Sequence, residues 1–213
     1  MLSTFTKLPE DKQTRIFMAA FKVFAQKGFY QANVADICQE AGISNGALYK
    51  YFANKESLFT SCIDFGIELM AKELFSKGIS DSAPFFDNLR NLYKAAAEFS
   101  KNYGQVVALY LDLGSISHNK FARLLSQKIE DRARDFHIKL VKDAMASGQI
   151  APTADPNITA YIIDNNLMIL AFSIVSEHYH QRFRAYFGSQ SPELDTDKKI
   201  DIIMKSIRQL LQA

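Results

Sequence analysis

The chain has 213 residues, 48% hydrophobic and 23% charged, with 25 Lys and Arg against 23 Asp and Glu. This is the balance of a soluble protein large enough to bury its own core, so neither disulfide nor metal staple is required. Nine Gly and five Pro are too few for a turn-rich all-β chain or for disorder, and a net charge of +2 is too small to identify a polyanionic partner.

Met1 to Lys7 lack the apolar run of a signal peptide. Pro9, Glu10 and Asp11 open a helix, since Pro suits the first turn and acids suit the positive end of the helix dipole. Ile16, Ala20, Val23 and Phe24 then repeat at helical spacing until Gly28 ends the run. Two short helices follow near 33–52, and breakers separate helical segments near 54–77, 85–102, 105–116, 119–147, 157–187 and 197–211. No run combines strand length, period-two alternation and hairpin residues. The expected fold is all-α with about nine helices.

Cys38 and Cys62 lie in apolar helical contexts without CxxC spacing and read as buried thiols of a reducing cytoplasm. Ala160 to Val175 is interrupted by Asp164, Asn165, Asn166 and Ser173, so it reads as too short and too polar to span a bilayer. The longer stretch Ile158 to Phe187 is apolar on more than one face and needs two partners, its own core and a second copy of the chain. Ile169, Phe172, Val175 and Phe183 are the candidate interface there, with Ile200, Ile203, Ile207 and Leu210 from the last segment.

The stretch Asn33 to Phe52 reads as helix-turn-helix. Asn33 caps the first helix with Asp36 in capping-box register, and Val34, Ile37 and Ala41 face inward. Gly42 allows the tight turn and Ile43 fills the angle. Ser44 caps the second helix, whose inward face carries Leu48 and Phe52. Outward are left Asn45, with an amide suited to an adenine edge, Gly46, which lets the backbone approach, and Ala47, whose methyl suits thymine. Tyr49 and Tyr51 offer hydroxyls to phosphates, Lys50 and Lys55 offer charge, and Asn54 caps the next helix.

These residues carry a resemblance. Asn33-Val34-Ala35-Asp36-Ile37, Ala41-Gly42-Ile43-Ser44-Asn45-Gly46-Ala47-Leu48-Tyr49-Lys50-Tyr51-Phe52 and Asn54-Lys55-Glu56-Ser57-Leu58-Phe59 resemble the tetracycline-repressor-like (TetR/AcrR) family, and the likeness extends back to Thr14. It implies a bacterial, cytoplasmic repressor, a homodimer binding double-stranded, near-palindromic operator DNA through residues 1–53, with 54–213 as the ligand-binding and dimerisation domain and 54–77 as connector. By motif position, Asn45, Gly46, Ala47 and Lys50 stand where bases are read, and Asn33, Ser44, Tyr49, Tyr51 and Lys55 where phosphates are held. Family members often have a basic residue at the position of Asn45 and Thr or Ser at that of Ala47. Readout here therefore leans toward DNA shape and phosphates.

A small, largely apolar or aromatic effector in the C-terminal body is expected to tilt helix 54–77 and release the DNA. Tyr93, Phe99, Tyr103, Tyr110, Asn165, Met168, Phe172 and His178 are the candidate lining. His178 and His180 point about 200° apart on a helix, so no metal or cofactor is expected. No HExxH, GxGxxG or Walker motif occurs, nor the two Glu-x-x-His motifs of a di-iron bundle, which argues against an enzyme. An activator of the same fold, or a ligand-sensing dimer without DNA binding, is the alternative to a repressor.

Overall fold

The computed structural model describes residues 1–80, 82–115, 120–151, 155–188 and 194–211; among these the protein is all-α, with eleven helices and no strand. They are α1 (Ser3–Thr6), α2 (Glu10–Gln31), α3 (Val34–Ala41), α4 (Asn45–Tyr49), α5 (Lys55–Gly78), α6 (Phe85–Asn102), α7 (Gly104–Ser115), α8 (Lys120–Ala146), α9 (Pro156–Val175), α10 (Glu177–Phe187) and α11 (Thr196–Leu211). Two of them exceed the sequence expectation. The four residues of α1 are too few to show a period. The expected 157–187 helix breaks at Ser176, whose backbone is extended (φ −127°, ψ 122°). At Gly28, α2 kinks rather than stops: φ of 67° and ψ of 169° there suit only glycine, and one more turn follows to Gln31.

The chain divides into two compact units, Met1–Leu69 with Gln105–Ser117, and Met70–Gly104 with His118–Ala213; α5 contributes residues to both. The first unit is built on aromatic packing. Phe24 meets Phe59 edge-on at 4.9 Å, Phe17 stacks on Phe65 at 4.6 Å, and Ile16, Ile37, Leu48 and Leu58 are fully or almost fully buried around them. Each such side chain contributes about 1.5–3 kcal/mol of burial free energy. Gly66 of α5 sits against Phe21 and Val106, and there is no room there for a methyl group.

The second unit has one continuous core, in which Phe85, Leu89 and Tyr93 of α6, Val141 and Ala144 of α8, Ile163 and Leu170 of α9, Phe183 of α10 and Ile200, Ile203, Met204 and Ile207 of α11 meet. At 20 residues α9 is, by length and composition, long and apolar enough to cross a membrane, which corrects the expectation that it is too short and too polar. In the structure α6, α8, α10 and α11 all pack on it, as befits the central helix of a bundle. Helical spacing aligns Ile200, Ile203, Met204, Ile207, Leu210 and Leu211 in one stripe with Lys199 off it; in the structure the first four are buried, Leu210 is exposed, and Lys199 is buried as well.

Candidate nucleic-acid interface

The helix-turn-helix is assembled by local chemistry at each junction. Asn33 Oδ1 accepts the Ala35 N–H at 3.0 Å and starts α3. Asp36 does not return the favour as a capping box would; its carboxylate accepts from Lys27 Nζ at 2.8 Å, an α2–α3 tie. At the other end Gly42 adopts the left-handed conformation (φ 64°, ψ 41°), and the Ile43 N–H reaches back to Cys38 O at 3.0 Å. That five-residue reach closes the helix and turns the chain. Ser44 Oγ accepts the Ala47 N–H at 3.1 Å and starts α4. Asn54 caps α5 twice over, accepting from Ser57 N at 2.8 Å while its own N–H donates to Ser57 Oγ at 3.2 Å.

Leu48 and Phe52 anchor α4 inward at 2% and 1% exposure, so the opposite face is solvent-facing. Asn45, Gly46, Tyr49 and Lys50 are exposed there, Ala47 and Tyr51 are half-buried, and Asn33 and Ser44 are exposed at the caps. Tyr51 leans edge-on against Phe5 with ring centroids 5.7 Å apart. Lys55 has a structural task that its sequence context does not reveal. Its Nζ donates to Ala32 O at 3.0 Å and Tyr30 O at 3.2 Å and sits 4.8 Å over the Phe29 ring, closing the end of α2. One of its three donors is left over.

The string Gly42-Ile43-Ser44-Asn45-Gly46 has the GxSxG spelling of a hydrolase nucleophile elbow, which requires a strand before the serine and a histidine base. Here a helix rather than a strand precedes it, and Ser44 Oγ is occupied as a helix cap. The spelling carries no nucleophile.

The expected effector-lining residues fall in both units. Tyr110 belongs to the first unit, the rest to the second. Tyr93 is fully buried, and its hydroxyl donates to Ile163 O at 3.0 Å. Burial, and secondarily the charge of Asp164, push that phenol up. Phe99 is buried with its ring 5.0 Å from that of half-buried Tyr103, and Phe172 lies 5.3 Å from Tyr179. Asn165 Nδ2 donates to Tyr161 O at 2.7 Å, Met168 is half-buried, and His178 is exposed on α10. Sequence reasoning missed a buried polar pair nearby. The His137 Nδ1–H donates to Ala133 O at 2.8 Å and lies 3.5 Å from Asp164 Oδ1, while its Nε2 is buried without a hydrogen-bond partner. Burial lowers the imidazole to about 4, and burial, with the charge of Glu130, raises Asp164 to about 6. A single His on one helix and a single Asp on another leave no spacing signal for such a pair.

The expected dimer face needs correction. Phe183, Ile200, Ile203 and Ile207 are in the protomer's own core, which leaves them no area for a second copy. Phe172 is also buried, Ile169 and Val175 are half-buried, and Leu210 is exposed. The large apolar side chains α9 and α10 leave exposed are instead Ile158, Tyr161 and Tyr186. Lys199 Nζ donates to Ser173 O and Oγ at 3.2 and 3.0 Å and to His180 Nδ1 at 3.1 Å, a tie from α11 to the end of α9 and to α10. Burial lowers this lysine's pKa, against a smaller opposing effect of Glu177.

Comparison with known proteins agrees with this anatomy. Residues 16–62 match the family described as bacterial regulatory proteins, tetR family. The uncharacterized HTH-type transcriptional regulator YhgD of Bacillus subtilis is 26% identical over 79% of this chain and 86% of its own. Among solved structures, the fatty acid degradation regulator FadR from Bacillus halodurans superposes with a TM-score of 0.72 at 18% identity, over 94% of this chain and 96% of that one. AibR, in complex with isovaleryl coenzyme A and operator DNA, superposes with a TM-score of 0.66 at 15% identity, over 92% and 97%. The helix-turn-helix lies within the region that matches the tetR family, and along almost its whole length the chain shares the fold of these solved regulators.

Proposed function

We propose that the protein is a cytoplasmic, effector-responsive repressor that binds a near-palindromic operator as a homodimer. Residues 1–53 act as its DNA-binding domain and 54–213 as its effector-binding and dimerisation domain. The observation that carries the reading is the two-faced α4: Leu48 and Phe52 hold it inward while Asn45, Gly46, Tyr49 and Lys50 are free to enter a major groove. Asn45 then pairs with a base edge, Gly46 and Ala47 allow close approach, and Lys50 joins them; Asn33, Ser44, Tyr49, Tyr51 and the spare donor of Lys55 hold phosphates. Two such helices must reach half-sites about 34–36 Å apart. The second copy docks on the apolar residues that α9, α10 and α11 leave exposed, Ile158, Tyr161, Tyr186 and Leu210.

The effector is a small, largely apolar molecule taken up by the C-terminal domain. Its binding changes the set of α5 and therefore the spacing of the two α4 helices; by linkage, operator DNA weakens effector binding by the same factor. Because FadR is a fatty acid degradation regulator and AibR is in complex with isovaleryl coenzyme A, acyl groups, offered free and as their coenzyme A thioesters, are the first probes to try.

The test is selection of a consensus from random duplexes by the full chain, repeated with Asn45→Ala. A two-fold symmetric consensus is expected, and the substitution should relax preference at one position per half-site by about 1–3 kcal/mol. Selection of no consensus, or an unaltered preference in the variant, refutes base reading by α4.

A further inference from the structure

Base reading demands a recognition helix held at a fixed tilt, yet the five residues of α4 make only about one and a half turns and cannot hold themselves. Just past Tyr49, the carbonyls of Lys50 and Tyr51 have left the helical ladder. The amino-terminal segment meets both: the Thr4 hydroxyl donates to Lys50 O, and the Leu2 N–H donates to Tyr51 O at 2.9 Å. From the same turn Phe5 inserts fully into the core, its ring 4.8 Å from Phe52, 5.0 Å from Phe17 and 5.7 Å from Tyr51. The segment is itself fastened to α2, where Gln13 Nε2 donates to Leu8 O at 2.8 Å.

We propose that residues 2–5 are a strap that sets the tilt of α4, with Thr4 and Phe5 as positioning residues for DNA recognition. The inference rests on the DNA-binding reading above. Its physical content is a difference between contact types. Hydrogen bonds to base edges weaken when a side chain is displaced by about 0.5 Å, whereas a lysine still neutralises a phosphate at that displacement. A loosened strap therefore removes discrimination first and leaves salt-dependent, sequence-blind binding in place. Phe5 also accounts for Tyr51 being half-buried, since its ring fixes one side of that phenol.

The experiment uses the full chain and two mild variants, Thr4→Val, which keeps the shape and deletes the hydroxyl, and Phe5→Leu, which keeps most of the volume. Amide hydrogen exchange of residues 44–53 should quicken about three- to tenfold in each, the loss expected for one hydrogen bond or a slackened contact, while amides of the second unit keep their rates. Affinity for the duplex consensus selected by the unaltered chain should fall by about the same factor, with scrambled duplex and the salt slope unchanged. Unaltered exchange in 44–53, or equal loss on consensus and scrambled duplex, overturns the strap. Selection of no consensus by the unaltered chain would refute the DNA reading instead, and the exchange measurement would still decide the strap.

Discussion

Replacing Asp164 by Asn should stabilise the protein at neutral pH and make it more sensitive to acid. Burial, together with the charge of Glu130, holds this carboxyl at about 6 against an ordinary 3.8. A shift of that size corresponds to about 3 kcal/mol, reduced to about 2 because the carboxylate keeps some contact with water. The native state binds the extra proton, so the stability Asp164 contributes is full below pH 3.8 and is lost as pH rises through about 6. His137 has the opposite sign. Burial lowers it from 6.5 to about 4, so its contribution is present above 6.5 and is lost as pH falls through about 4. Between pH 4 and 6 the two slopes oppose and the natural chain changes little.

Asp164→Asn removes one slope and exposes the other. Urea denaturation followed by far-ultraviolet circular dichroism should show a midpoint raised by about 1 M at pH 7, an advantage that shrinks to nothing near pH 4. The variant itself should lose about 3 kcal/mol across that range. An unchanged midpoint at pH 7, or a variant as flat as the natural chain between pH 4 and 6, would refute the assignment of opposed buried groups.

Three further outcomes follow from particular contacts. Lys55→Ala removes the tie to Ala32 O and Tyr30 O and should cost about 1–2 kcal/mol of stability, besides lowering the salt slope of DNA binding by about one. A change in the slope with no change in thermal midpoint would mean that the α2 tie is idle. Gly66→Ala places a methyl 2.8 Å from Phe21 Cζ and 3.2 Å from Val106 Cγ1, an overpacking worth about 1–3 kcal/mol; an unshifted melting curve would show that the site is looser than it looks. Tyr161→Asp, at a side chain 70% exposed in the single chain, should leave helicity and melting almost unchanged while sedimentation shows monomers. A dimer that survives the change puts the interface elsewhere.

The helix-turn-helix was legible because its determinants are local. Asn33, Gly42, Ser44 and Asn54 each act within a few residues of themselves, through a cap or a left-handed turn, so their spacing alone locates α3, α4 and the start of α5. The same holds for the inward stripe of Ile200, Ile203, Met204 and Ile207, whose period marks a buried face without saying what covers it. That ambiguity produced the error at the dimer face: an apolar stripe reads identically whether its partner is another helix of the same chain or a second copy. The bundle assigned this one to its own core.

Other features had no local signature at all. Phe5 and Tyr51 are 46 residues apart, as are Thr4 and Lys50, and nothing in either segment announces the other. Lys55 reads as a surface cation until α2 brings two carbonyls to it, and Lys199 reads as the polar side of α11 until Ser173 and His180 arrive to accept its hydrogen bonds. Sequence by itself determined most of the helices, the caps at Asn33, Ser44 and Asn54 and the two-faced α4, because these depend on neighbours within about one or two turns. Tertiary structure alone decided which charges are buried and which hydrophobes remain outside, because burial depends on elements that meet only when the chain folds.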